Sequence, residues 1–264
     1  MSARAAATAI IASRNEARLL DERLSELAFC DEVIVIDIDS ADDTVAVAEA
    51  HSARVVRHAY VPIAEMARVD VALEARHDWL VVTDPDERIP PALAAQATAF
   101  LRNAPPDVAV VHAGWRFLFR GRPLRGTVWG GTGRRVFLVR RSAVDLSAAV
   151  HTTLASIRPG FRTVEFEPNG DNAIVHYWVT GYRDWLEKHR RYLRLEGPSR
   201  FDKGFVTGYR GIARKPWQSF KQCFIERHGY RDGLTGLALS FLWAWYETAA
   251  EIELFRELRR RVPR

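Results

Sequence analysis

The sequence predicts an α/β protein with a mostly parallel sheet, followed by a helical segment. Three observations carry this. Across residues 1–102, four short runs rich in Val and Ile alternate with segments whose apolar residues recur at helical spacing. The runs are apolar at successive positions, as strands covered on both faces are. Beyond Thr180 such runs stop and helical periodicity takes over.

Residues 6–12 read as the first buried strand, 32–38 as the second, 53–58 as the third and 78–83 as the fourth. Between the first two, Leu20, Leu24 and Leu27 share one helix face. Ser40-Ala41-Asp42-Asp43 has the form of a capping box opening a helix through Val45 and Ala48. Pro90 and Pro91 open another over residues 92–101. Past Pro106, residues 108–119 and 127–139 are β-rich and joined by a turn at Gly121-Arg122-Pro123, so they are expected to extend the sheet with antiparallel strands. From Thr180 a helix carries Trp185, His189, Tyr192 and Leu195 on one stripe. Gly204, Gly208 and Gly211 then mark a connection to a final helical segment. Two domains are expected, residues 1–178 and a basic, aromatic-rich extension over 179–264.

Composition narrows the class. At 48% hydrophobic and 27% charged residues, wholesale disorder is excluded. Cys30 and Cys223 stand far apart, which argues against a disulfide framework or zinc site and for a reducing, cytoplasmic compartment. The apolar stretch 5–12 runs into Ser13 without a cleavage pattern, and the run 234–246 is shorter than the ~20 residues that span a bilayer, so no transmembrane helix is expected. From His176 onward there are 18 Lys and Arg against 10 Asp and Glu, whereas the preceding residues hold 20 against 23. An acidic front and a basic tail suggest two roles.

Three motifs carry chemistry. Asp84-Pro85-Asp86 closes the fourth strand, and ligands of open α/β sheets bind outside the carboxyl ends of strands. Two carboxylates there can hold Mg²⁺ or Mn²⁺ with positions left for phosphate oxygens. Asp37, Asp39 and Ser40 close the second strand, where a carboxylate can accept from a uracil or ribose and Ser40 can cap the next helix. Ser13-Arg14-Asn15-Glu16 follows the first strand and can line a nucleoside pocket or simply begin a helix.

The ordered set Ile11-Ala12-Ser13-Arg14-Asn15-Glu16, Asp31 to Asp37, Ser40 to Thr44 and Asp78 to Glu87 resembles family 2 glycosyltransferases. The subset it resembles most is the bacterial lipopolysaccharide-core β-glucosyltransferases, through Arg135-Val136-Phe137, Val150-His151, His176-Tyr177 and Gly229 to Gly233. The resemblance implies a GT-A fold, a Rossmann-like mixed sheet with a helical extension. It also implies a nucleotide-diphosphate-sugar donor, with UDP-sugars favoured, and an inverting transfer to a glycan or lipid-linked acceptor of the cell envelope. Carried over, Asn15 and Glu16 lie by the nucleoside, Asp37 contacts base or ribose, and Asp84 meets ribose or metal; Ser13 and Asp39 join the nucleotide-sugar site from their places at the strand ends. Asp86 binds the metal, with His176 as a further candidate ligand. Arg68 matches a donor-contacting position, although Asp70 stands where the family usually has Asn. Arg135, with Arg134 second, is the candidate cation beside the diphosphate. An inverting transfer also needs a general base. Relatives place Glu after the histidine at His151, and this chain has Thr152. The base then falls to His151, with its near-neutral pKa, or to Asp145 or another carboxylate, or the usual chemistry is lost.

In the tail, aromatics alternate with cations over residues 217–227. An apolar helix then ends in Arg256, Arg259, Arg260 and Arg261. This pattern suits either packing on the first domain or peripheral contact with an anionic membrane surface at the inner face of the cytoplasmic membrane. Two rival functions remain: a non-catalytic nucleotide-sugar-binding module, and a sugar nucleotidyltransferase. The latter is disfavoured because no glycine precedes Gly114 in the loop that would hold a triphosphate. No nucleic-acid recognition motif is present and no nucleic-acid partner is expected.

Overall fold

The computed structural model describes residues 4–61, 63–146, 155–169 and 171–261, and it divides into two compact units. The first unit comprises residues 1–115 and 132–176; the second comprises 116–131 and 177–264.

In the first unit, β1 (Ala5–Ser13), β2 (Cys30–Ile38), β3 (Arg54–His58) and β4 (Trp79–Thr83) alternate with α1 (Ala17–Glu26), α2 (Thr44–Ala50) and α3 (Ala64–Ala72). These strands lie parallel in the order β3-β2-β1-β4, so the order reverses beside β1. A turn after β4 leads into β5 (Glu87–Arg88) and then α4 (Pro91–Arg102), which starts with proline in its first turn. The sheet continues through β6 (Val108–Phe119), to which β7 (Arg122–Pro123) returns. β8 (Gly133–Arg140) runs antiparallel to both β4 and β6. Then β9 (Val144–Leu146) pairs with β10 (Ala155–Ile157), β11 (Arg162–Glu165) joins β6, and β12 (Ala173–Val179) pairs with β5. The parallel half with antiparallel additions is as the sequence predicts.

Both sheet faces are covered, which is why the strands carry apolar residues without alternation. Leu20, Leu24, Leu27, Leu93 and Ala97 from α1 and α4 bury one face; Ala67, Val71 and Ala72 from α3 bury the other. One expected strand is shorter than predicted: residues 127–139 give a strand only from Gly133, because Thr127 and Gly131 have φ of 71° and 76°, outside the β region. Ser40 does not cap α2 as predicted: its N-cap is Asp43, without a side-chain cap bond, and a local turn bond from Thr44 N–H to Asp42 Oδ1 at 3.1 Å precedes the helix.

The second unit joins the tip of β6 and the loop that follows it to α5 (Tyr182–Asp202), α6 (Tyr209–Lys221) and α7 (Gly233–Arg261). The expected boundary at residue 178 therefore misses the segment 116–131, whose aromatics belong to this core. Phe119, Trp178, Trp185, Leu239 and Tyr246 form the buried cluster, and Trp129 packs at 4.4 Å from Trp178 between ring centres. The Gly-rich connection is also shorter than expected, since Gly211 lies inside α6. No helix among the described residues is long and apolar enough to cross a membrane. The arginines closing α7 do not form a free polybasic cluster: Arg256 pairs with Glu253, Arg260 with Glu257, and Arg261 with Glu257 and with Asp202 of α5.

Close backbone contacts fix the start of α7. A Cβ at Gly236 would overlap the carbonyl of Gly229, and one at Gly126 would overlap that of His228. Gly236→Ala is expected to cost about 2–3 kcal/mol by overpacking. In thermal unfolding followed by circular dichroism this appears as a loss of roughly 4–12 °C; an unchanged melting temperature would show that the helix start can shift freely.

Candidate active site

β1 and β2 run in parallel register with Ser13 opposite Asp37, and each strand turns sharply at its end. Asn15 and Asp39 have φ of 56° and 54°, a left-handed backbone that Asn and Asp tolerate better than other side chains. The two loops are tied reciprocally: Asn15 N–H donates to Ser40 Oγ at 3.0 Å, and Ala41 N–H donates to Asn15 Oδ1 at 2.7 Å. Ala17 N–H adds a bond to Asp42 Oδ2 at 3.1 Å. Asp37 is buried, and its Oδ1 accepts the Ser40 N–H at 3.1 Å. Ser13, Asn15, Asp37 and Asp39 are thus brought to one end of the sheet. The Ser13 hydroxyl there is buried with no hydrogen-bond partner among the described residues. Glu16 starts α1, and its carbonyl accepts the N–H groups of Leu19 and Leu20. Arg14 lies 4.6 Å from the centre of the exposed Tyr60 ring, just after β3.

The acidic motif sits one strand over, after β4, where Thr83 is opposite Ile11 of β1. Asp84-Pro85-Asp86-Glu87 is a β-turn closed by Glu87 N–H donating to Asp84 O at 3.0 Å, with proline at its favoured second position. Arg68 of α3 donates to Asp84 Oδ1 and, at 3.0 Å, to Thr83 O; Arg135 of β8 donates to Asp84 Oδ2 at 2.9 Å. Arg135 also pairs with Glu87 and lies 5.4 Å from the Trp115 ring centre. Glu87 is buried and accepts the Trp115 Nε1–H at 2.8 Å and the Asp84 N–H at 3.2 Å. Trp115 stacks on His176, 5.0 Å between centres and 10° from parallel, and His176 Nε2 lies 3.1 Å from Asp86 Oδ2. Five elements are therefore linked through one run of contacts: Arg68, Asp84, Arg135, Glu87, Trp115, His176, Asp86.

Electrostatics divides these groups by task. Burial alone would push the Asp84 carboxyl up, but the Arg68 and Arg135 guanidinium groups outweigh it and hold the carboxyl well below the usual range. Burial would likewise draw Arg68 down, and Asp84 reverses that. Both Asp84 oxygens accept from guanidinium groups, so the residue expected as a metal ligand is built as a fixed anion. Arg68 and Arg135, expected against the donor, are turned to carboxylates instead, because charges withdrawn from water need opposite charges beside them. Asp86 and His176 lie side by side, an oxygen and a nitrogen 3.1 Å apart.

Among the described residues no group of three or more His, Cys, Asp or Glu that could hold a metal is gathered. One carboxylate beside one imidazole suits Mn²⁺, provided diphosphate oxygens and water complete its coordination. His151 lies outside the described residues. Asp145 is exposed and pairs with Arg158 at 2.8 Å. Arg134 pairs with Glu165 and Glu167 at 3.0 and 3.1 Å. Two members of the run were missed from sequence. Glu87 had a signal, since it directly follows Asp86; Trp115, inside an apolar run, had none.

Comparison with known proteins gives consistent results. The profile of Glycosyl transferase family 2 matches residues 8–156. An uncharacterized glycosyltransferase of Rickettsia felis is 21% identical over 243 residues, covering 90% of this chain and 85% of the relative. A Rickettsia bellii counterpart is also 21% identical, over 90% of this chain and 82% of its own. Among solved structures, the mannosyltransferase PcManGT from Pyrobaculum calidifontis, in complex with GDP-Man and Mn²⁺, superposes with a TM-score of 0.57 at 18% identity. It covers 96% of this chain and 88% of its own.

Proposed function

Because the chain belongs to glycosyl transferase family 2 and has the GT-A fold, we propose that it moves a hexose from a UDP-sugar to a glycan or lipid-linked acceptor of the cell envelope, with inversion. The observation that carries this reading is the meeting of two groups at the carboxyl ends of β1, β2 and β4: the tied polar loops and the arginine-anchored acidic turn. The buried Asp37 and the Ser13 hydroxyl offer acceptors and a donor to a base and ribose. Asp84, held ionised, fixes the turn that presents Asp86.

Asp86 and His176 would hold a divalent metal, and when bound it supplies Lewis-acid stabilisation of charge on the departing diphosphate. Arg135 acts through Asp84 and Glu87, keeping the turn and Trp115 in place, rather than by touching the donor. We assign the acceptor hydroxyl proton to His151, since imidazole is the side chain suited to taking up a proton near neutral pH. Cys30 and Cys223 are both free and buried, which suits the reducing compartment where we place the reaction. A lipid-linked acceptor would bring the protein to the inner face of the cytoplasmic membrane, where the exposed Trp217, Leu234 and Phe241 of the second unit can enter the interface.

Calorimetric titration of UDP and GDP, with and without Mn²⁺, tests the donor assignment. UDP is expected to bind at least about tenfold more tightly with Mn²⁺ than without it, and more tightly than GDP. Preference for GDP would overturn the base assignment alone, whereas no binding of either nucleotide would remove the basis for the whole reading.

A further inference from the structure

The second unit holds a cavity of about 580 Å³, within the range of small-molecule sites, that the sugar-transfer chemistry does not use. Its walls carry Arg120, Arg122 and Arg125 from the β6–β7 hairpin and the loop after it, with Arg231 and Asp232 just before α7 and Thr235 in its first turn. Among the described residues, none of these four guanidinium groups has a carboxylate or hydrogen-bond partner. That contrasts with the arginines ending α7, each of which is paired with glutamate or aspartate or lies over an aromatic ring. The four are exposed and water screens their repulsion, but without carboxylate partners they concentrate positive potential in one cavity, which an anion can meet.

The one carboxylate in the lining does not supply that anion. Asp232 accepts the backbone N–H groups of Arg125 and Gly126, both at 2.8 Å, and so ties the arginine-bearing loop to the start of α7. The close contacts of Gly126 and Gly236 hold the same frame. The hairpin turn is built with equal insistence. Arg120 and Gly121 occupy its two central positions with φ of 53° and 72°, the primed geometry that joins two-residue hairpins. Gly121 adopts it freely, whereas an arginine there is strained, and the residue held in that strained turn is a cation lining the cavity. Thr235 lies in the first turn of the 29-residue α7, whose N-terminal N–H groups add to the positive potential.

We propose that this cavity is a phosphate-binding site, taking a phosphomonoester or diphosphate end group. Guanidinium forks match phosphate oxygens bidentately, and a phosphate brings about two charges where a carboxylate brings one. The phosphate can belong to a lipid headgroup or to a soluble compound; Tyr230 and Leu234, 51% and 85% exposed beside Arg231 and Thr235, favour the lipid.

The test uses the full chain with EDTA present, so that metal-assisted binding elsewhere is silent. Inorganic pyrophosphate is titrated calorimetrically. Phosphatidylcholine vesicles, with and without phosphatidic acid, are sedimented with the protein. Wild type is expected to bind pyrophosphate, and Arg122→Ala with Arg231→Ala to weaken it roughly tenfold per arginine. The lysine versions of both changes, which keep charge and fold, should recover part of the loss, and Asp86→Ala should bind as wild type does. Capture by phosphatidic acid vesicles, lost in the double variant, identifies a lipid source. Pyrophosphate binding without vesicle capture identifies a soluble one. Absence of wild-type binding to both probes, or a double alanine variant that binds like wild type, overturns the site. If Asp86→Ala abolishes binding, the anion is at the donor site and the proposal fails while the transferase reading stands.

Discussion

Asp86→Ala is expected to lower kcat/KM for sugar transfer by about 10³-fold or more, some 4 kcal/mol of transition-state stabilisation. Asp86 is partly exposed and meets His176 at the end of the run that Glu87 anchors, and Arg68, Asp84, Arg135 and Glu87 contact one another without it. The variant should therefore melt close to wild type while losing Mn²⁺-dependent nucleotide binding. His176→Ala should show the same pattern more weakly. Full activity in Asp86→Ala would sink the assignment, because both Asp84 oxygens face arginines and Glu87 is buried against Arg135, Trp115 and the Asp84 N–H.

Asp84→Asn is expected to act on stability as much as on activity. It removes the carboxylate that two arginines face and leaves the buried Arg68 without its main counter-charge. Breaking a buried pair from one side costs about 3–5 kcal/mol. With the Asp84 side chain still 29% exposed, the lower end, about 3 kcal/mol, applies. The pH dependence follows from the sign of the shift. The folded carboxyl is held below its ordinary value, so its contribution is complete above about pH 4 and is lost as pH falls through the lower folded value. The gap between wild type and Asp84→Asn in denaturant midpoints should thus be constant at neutral pH and narrow only in strong acid. Adding Arg68→Met should recover much of the loss; if it does not, Arg68 has a role apart from pairing Asp84.

Much of the first unit is legible in the sequence because burial on both faces writes itself as uninterrupted Val and Ile, and because prolines mark the start of α4. What was not legible depends on partners distant in sequence. Phe117, Phe119 and Trp129 look like strand residues in isolation. Only Trp178 and Trp185 decide that they belong to the second core. The acidic turn announced itself, but spacing does not tell which carboxylate a guanidinium will meet, so Arg68 and Arg135 were read toward the donor. Asp86 and His176 are separated by 90 positions and meet only because β12 pairs with β5.

The reciprocal bonds between Asn15 and the Ser40-Ala41 backbone have a consequence for chimeras. Neither loop is held by its own residues alone: beside the Asp37–Ser40 bond, each left-handed turn is tied to a group from the other strand end. Grafting either loop alone from a relative with a different base preference would import side chains onto an unsupported frame. Segments 13–17 and 37–44 therefore form a single unit of exchange, and substitutions in one are expected to be tolerated only alongside matched changes in the other.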